Sequence, residues 1–266
     1  MLKQYDAARY EEILTGGRTQ PLVLACRSRS GAQATESKVV KAIGCPDVSS
    51  QWQIVTEVVS NVIARRLGVT TPEPCAIHIS EEMAAKLTLS AKDQGHVHQI
   101  TAGWASGCAL LRPPPAPYTS GQNLGAAQRV QAARLFVFDM LAQNPDRRMV
   151  KPNCGMIKDG IVAFDFEMCF GFLFVPVVGG SAIQPWEVSK VGLSKSHLFR
   201  DVTKRDLPDE EEVVLRLQAL ADDWGADMLA GLPAEWHVEA ERIWTSVASV
   251  RQNAKVFAKE ISRSLM

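Results

Sequence analysis

Three oxygen-bearing side chains, Asp146, Asn153 and Asp165, stand in the stretch NPDRRMVKPNCGMIKDGIVAFDFEMCF, residues 144–170. One carboxylate can orient or deprotonate an attacking hydroxyl. An amide oxygen and a second carboxylate can hold magnesium, a hard cation that prefers oxygen, and together these are the parts that phosphoryl transfer needs. Taken singly, each is also the kind of polar residue that caps a turn. The segment's own logic brings them together. Pro145 and Pro152 exclude a helix from NPDRRMVKPN, which makes it a loop at the end of the helical run before it. CGMI and IVAF flank KDG, and Asp-Gly between apolar runs signals a hairpin. A hairpin returns on itself, so Asp165, at the end of its second strand, comes back to the loop where the hairpin began.

The helix that must carry this loop is GAAQRVQAARLFVFDMLAQ, which becomes apolar nearly all round towards its end and so belongs in the middle of a core. Upstream, PLVLA and KVVKAIG read as strands joined by a small-residue loop, an antiparallel hairpin. Trp52, Val55, Val59, Val62, Ile63 and Leu67 recur at helical spacing; the pattern predicts a helix over 51–67, capped by Ser49 or Ser50 and stopped by Gly68, Pro72 and Pro74. PCAIHIS reads as a further strand and SEEMAAKLTL as a short helix. After Trp186 the chain reads as mostly helical, with Asp209 to Glu212 placing negative charge where a helix dipole favours it. Strand-rich first and helix-rich second is an α+β arrangement. Residues 103–125, rich in Gly and Pro, mark the boundary, which gives a first lobe at 1–110 and a second at 111–266.

Length and composition set the limits. A chain of 266 residues, 46% hydrophobic and 22% charged, can bury a real core. Its net charge is zero, and without a basic footprint neither nucleic acid nor an anionic membrane is expected as a direct partner. The six cysteines are scattered with no C-x-x-C pair, which reads as reduced thiols used as small apolar residues in a reducing cytoplasm. The charged, amphipathic start MLKQYDAARYEEIL has no apolar core of a signal peptide, and FGFLFVPVVGG is far shorter than the roughly 18 apolar residues of a membrane span.

FDMLAQNPDRRMVKPN followed by IVAFDFE resembles the catalytic and metal-binding segments of the HipA-like kinases, in their short form. The family pattern runs from an apolar helix ending in F-D through N-x-D-R, Pro-Asn, a short hairpin and an Asp after an apolar strand. The resemblance implies a two-lobed protein-kinase-like fold: a small lobe with an antiparallel sheet and one main helix, and a mostly helical large lobe. It implies ATP and Mg²⁺ as cofactors, Asp146 as catalytic base, and Asn153 and Asp165 as metal ligands. Asp165 takes the place of the Asp in a kinase D-F-G, although DFE puts Glu167 where the glycine would be. Lys41 sits where a kinase has its phosphate-contacting lysine. Glu57, inside a segment resembling the family's E…L-G-x-x-x-P signature, would pair with it. Glu57 also lies close to the apolar stripe of its helix, where an unpaired carboxylate would be costly. LPAEW resembles a helix start of the shorter members.

No G-x-G-x-x-G is present, so the nucleotide phosphates must be covered by RSRSGAQATESK, through backbone N–H groups around Ser28, Ser30 and Gly31. In the family this loop can carry regulatory phosphorylation, for which Ser28, Ser30, Thr35 and Ser37 are the candidates here. Lys151 either reaches the transferring phosphoryl group or is a solvated loop lysine. Arg147 reads as an anchor for the loop. His96 and His98 would share one face of a strand, but no third metal ligand is nearby in sequence. The resemblance favours a Ser or Thr of another protein as acceptor, with a toxin-like role restrained by a DNA-binding antitoxin. A small-molecule or lipid kinase, a nucleotide-binding pseudokinase and a protein AMPylating enzyme are the alternatives.

Overall fold

The computed structural model describes residues 2–31, 34–119, 121–158, 160–175 and 183–266. Its first part is built from β1 (Lys3–Ile13), β2 (Leu22–Ser28), β3 (Thr35–Lys41), α1 (Gln51–Arg66), β4 (Pro74–Ile79), α2 (Glu81–Asp93) and β5 (Gly103–Ala109). The five strands form a closed barrel in the order β1-β2-β3-β5-β4. This corrects the expectation of an antiparallel sheet with one main helix. β1 closes the ring by pairing antiparallel with β2 and parallel with β4, from Lys3↔Cys75 to Asp6↔His78, and a second helix, α2, packs on β1. Sequence periodicity does not mark β1 as a strand, because only Tyr5 and Ile13 of its eleven residues are buried and its register with β2 shifts twice. β5 likewise lies inside a stretch whose Gly and Pro content reads as connection.

Strand alternation decides where the two lysines of β3 go. Lys38 and Lys41 are three residues apart and therefore on opposite faces. Lys38 is buried over the Tyr5 ring, 4.5 Å from its centroid, and bonds Glu36 at 2.6 Å. Lys41 faces the other way, towards α1. That helix starts at Ser50, whose backbone N–H donates to Gln53 Oε1 at 3.1 Å, and it buries Ile54, Val55, Val58, Val59 and Ile63. It ends as the glycine signal predicts: Gly68 has φ +86°, a left-handed turn open to glycine, and its N–H returns to Arg65 O at 3.0 Å. His96 and His98 lie on no strand. His98 is buried with Nε2 bonded to Gln20 O at 2.8 Å, which makes it a tie between two loops.

The second part comprises β6 (Ala116–Pro117), α3 (Ala126–Leu141), the hairpin β7 (Cys154–Ile157) and β8 (Gly160–Ala163), and then α4 (Arg200–Arg205), α5 (Glu210–Gln218), α6 (Asp222–Ala230), α7 (His237–Gln252) and α8 (Ala254–Leu265). The two long helical runs near the C-terminus are each broken in two, the second at Asn253, whose amide bonds Ser249 O at 2.9 Å. Asp209 caps α5 by accepting from Glu211 N–H at 3.3 Å. Trp236, buried in the LPAEW segment, meets Trp104 of β5 edge-on with ring centres 6.3 Å apart, and α1 packs on α7. One buried apolar cluster extends from Tyr5 to Leu265. Among the described residues no helix is long and apolar enough to cross a membrane.

Candidate active site

α3 delivers the site. From Ala132 to Leu141 nearly every side chain is buried, and Asp139 is buried with them. A carboxylate there must be paired. Arg147 Nε donates to Asp139 Oδ2 at 2.6 Å, His197 Nε2 lies 2.9 Å from the same oxygen, and Asn144 Nδ2 donates to Asp139 Oδ1 at 2.8 Å. Burial pushes the Asp139 carboxyl up, but Arg147 and His197 outweigh it and hold the group below the usual carboxylate range. Arg147 has no exposed side-chain surface; its guanidinium also donates to the carbonyl of Asn153 and stacks 5.4 Å from the Phe166 ring centre. The expectation that Arg147 anchors the loop is met: one ion pair inside the core ties the end of α3 to both the loop and the hairpin.

The loop and hairpin then converge as the spacing predicts. Cys154 pairs with Ala163, and Phe164 N–H donates to Asn153 O at 3.1 Å, which sets Asp165 beside the loop. Asp159, of the Asp-Gly pair read as a turn, lies outside the described residues. Asn153 (φ +46°) and Asp165 (φ +64°) both have left-handed backbones, a conformation that Asn and Asp adopt more readily than other L-residues. Asp146 Oδ2 accepts from Asn153 Nδ2 at 3.2 Å and from Lys151 Nζ, and Lys151 also reaches Asp165 at 3.3 Å. Lys151 is thus a member of the cluster and bridges the two aspartates.

Lys41 completes it from the barrel side. Its ammonium lies 3.0 Å from Glu57, 2.6 Å from Asp165 and 3.1 Å from Glu167. The Lys41–Glu57 pair is the one expected. Glu57 is held in turn by Phe166 N–H, which donates to its Oε2 at 2.9 Å, so α1 grips the D-F step directly. Burial opposes the Lys41 charge, but three carboxylates overcome this and raise its pKa well above the ordinary value. Asp165 is lowered, because Lys41 and Lys151 outweigh its burial. Glu167 goes the other way: buried, with two other carboxylates near, it is pushed up to about 7.

Glu167 is the site residue that sequence reasoning passes over, since it registers there only as a departure from D-F-G. Carboxylate oxygens of Glu57, Asp165 and Glu167 lie within 4.8 Å of one another, an all-oxygen donor set of the kind a hard cation takes. Asn153 spends its amide N–H on Asp146, which leaves its amide oxygen to offer to a cation. Ser28, Ser30 and Gly31 are not drawn into this cluster. β2 extends through Ser28 and β3 begins at Thr35, so the connecting loop is shorter than the 27–38 stretch expected. Ala32 and Gln33 lie outside the described residues. Ser28 and Ser30 bond each other at 2.8 Å, and Ser37 sits on β3 with its hydroxyl donating to Glu11 at 2.7 Å.

The chain as a whole has a counterpart among solved structures. The Helicobacter pylori proinflammatory kinase CtkA superposes with a TM-score of 0.53 over 98% of this chain and 98% of its own, at 10% sequence identity. At that identity the likeness is one of fold, and the fold it indicates is that of a kinase. No protein-family model and no curated protein matches the chain.

Proposed function

We propose that this protein is an ATP- and magnesium-dependent kinase of the HipA-like kind, passing the γ-phosphate of ATP to a hydroxyl, in the first place a Ser or Thr of another protein. One observation carries the proposal: Lys41, Glu57, Asp146, Lys151, Asn153 and Asp165 come from four separate segments and meet in one hydrogen-bonded network. A fold alone does not require such a meeting.

In this reading Asp146 receives or orients the acceptor hydroxyl. Asn153 and Asp165 would hold Mg²⁺, and Glu167, whose carboxylate lies with that of Asp165 in one oxygen donor set, would join them. The metal held there would supply positive charge against the phosphate oxygens. Lys41 contacts nucleotide phosphates while Glu57, fixed by Phe166 N–H, keeps its side chain in place. Lys151, bonded here to both aspartates, would turn from them to the transferring group. Both lysines now neutralise carboxylates, so nucleotide entry is an exchange of partners rather than the filling of a bare charge. Transfer asks little covalent chemistry of the protein, and positioning with charge stabilisation supplies the rate.

The test is transfer from γ-labelled ATP with Mg²⁺ into a lysate, comparing wild type with Asp146→Ala and Asp165→Ala. Label on a protein band, lost in both variants, supports the reading. Label in small molecules only moves the acceptor to a metabolite. ATP binding without any transfer points instead to the pseudokinase or AMPylation alternatives.

A further inference from the structure

Beside the loop that carries Asp146 lies a concavity of about 870 Å³, within the range that holds a small ligand or a few residues of a peptide. One wall is the segment from Lys195 to Asp206, and Met149, at the tip of the loop, forms part of the other. The wall is fastened to the loop that carries Asp146: Leu198 N–H donates to Arg147 O at 3.0 Å, and Arg148 forms an isolated β-bridge with His197. A molecule seated here is held by the same backbone that positions Asp146.

The lining has a definite chemistry. Arg129 is spent on Asp206 at 3.0 Å, and Arg200 donates to Leu265 O and lies 3.7 Å from Asp201. Lys195 and Arg205 are exposed and form no ion pair among the described residues. Leu198, Val202 and Met149 supply an apolar side. The concavity therefore presents unneutralised cations next to apolar surface.

We propose that this concavity is the acceptor subsite and that it selects an anionic group, a carboxylate or a phosphate, flanking the hydroxyl to be phosphorylated. The proposal rests on the kinase reading and names its substrate class. The anion can come from acidic side chains beside a Ser in a peptide or from a hydroxylated small molecule that carries a phosphate.

The experiment uses the full chain, ¹⁵N-labelled, with three probes: a Ser peptide flanked by Glu, the same peptide flanked by Lys, and glycerol 3-phosphate. Amide shifts are followed alongside phosphate transfer, for wild type and for the double variants Lys195→Ala/Arg205→Ala and Lys195→Glu/Arg205→Glu. Expected are shifts centred on residues 195–206 with an acidic probe and not with the Lys-flanked peptide. The acceptor KM should rise about tenfold or more in the charge-reversed variant, with nucleotide affinity unchanged. Which acidic probe is phosphorylated identifies the source of the anion. Equal use of acidic and basic peptides, or an acceptor KM unmoved by charge reversal, overturns the proposal while leaving the kinase reading intact. Shifts at 195–206 with no transfer to any hydroxyl overturn the acceptor role together with the kinase reading, and the surviving shifts tell the two failures apart.

Discussion

Replacing Asp139 by Asn removes one charge from a pair with no exposed side-chain surface on either partner. The shape is kept and a hydrogen bond to Asn144 or His197 is still available, but the Arg147 guanidinium stays buried with no counter-ion. Breaking a buried pair from one side costs about 3–5 kcal/mol, most of it the penalty of the stranded charge. For a chain of this length about 2–4 °C are lost per kcal/mol, so the midpoint of thermal unfolding should fall by about 10 °C. Circular dichroism on wild type and Asp139→Asn reads this directly. The double variant Asp139→Asn/Arg147→Met is the decisive control. It removes the stranded charge along with its partner, so it should be no less stable than Asp139→Asn alone. The acid limb carries the same information. A carboxyl held below its ordinary value adds stability above that value, and this is lost as pH falls through the folded-state pKa; acid unfolding should therefore be less steep in Asp139→Asn than in wild type. A midpoint within about 2 °C of wild type, or a double variant clearly worse than the single one, would refute the idea that the stranded Arg147 charge is the main cost of losing Asp139.

Lys41→Met should cut phosphate transfer by about a hundredfold or more and weaken nucleotide binding, measured by labelled transfer and by titration with a fluorescent ATP analogue. It should also lower the unfolding midpoint, because it leaves Glu57, Asp165 and Glu167 without their shared cation. Glu167→Gln should flatten a pH dependence: a carboxyl raised to about 7 keeps its proton more readily in the folded state, so wild-type stability declines as pH rises from the ordinary Glu value towards 7, and the variant lacks that decline. Urea midpoints at about pH 5 and about pH 8 in metal-free buffer measure it, and parallel profiles for the two proteins would count against the assignment. Gly68→Ala should cost about 1 kcal/mol or more, since φ is +86° and the added methyl would lie 2.8 Å from an Arg216 nitrogen; a urea titration showing no loss would contradict this.

The parts of the site legible in the sequence are those with local rules. Two prolines and an Asp-Gly turn suffice to bring Asp146, Asn153 and Asp165 together, and helical spacing with a glycine stop suffices to place Glu57. Asp139 goes unread inside the apolar run LFVFDMLA, because its partners depend on how the loop folds back, and His197 comes from 58 residues away. Glu167 reads as a mere departure from a glycine because its contact with Lys41 spans 126 positions. β1 was hidden for a different reason. Its outer face is charged and its two register shifts erase the period-two signal, so only pairing with two neighbours makes it a strand.

That pairing has a consequence for how the chain can be handled. A ring of strands leaves no unpaired backbone margin, whereas an open sheet has two, each a template for a foreign strand. β1 contributes just two buried side chains, so by hydrophobic content it looks dispensable. Its removal would nonetheless bare β2 along one flank and β4 along the other, and β2 is buried at five consecutive positions from Leu22 to Cys26. A version shortened past Ile13 should then self-associate through those flanks even where its core survives, and fusion partners or tags that hold the first residues away from β4 should carry the same liability.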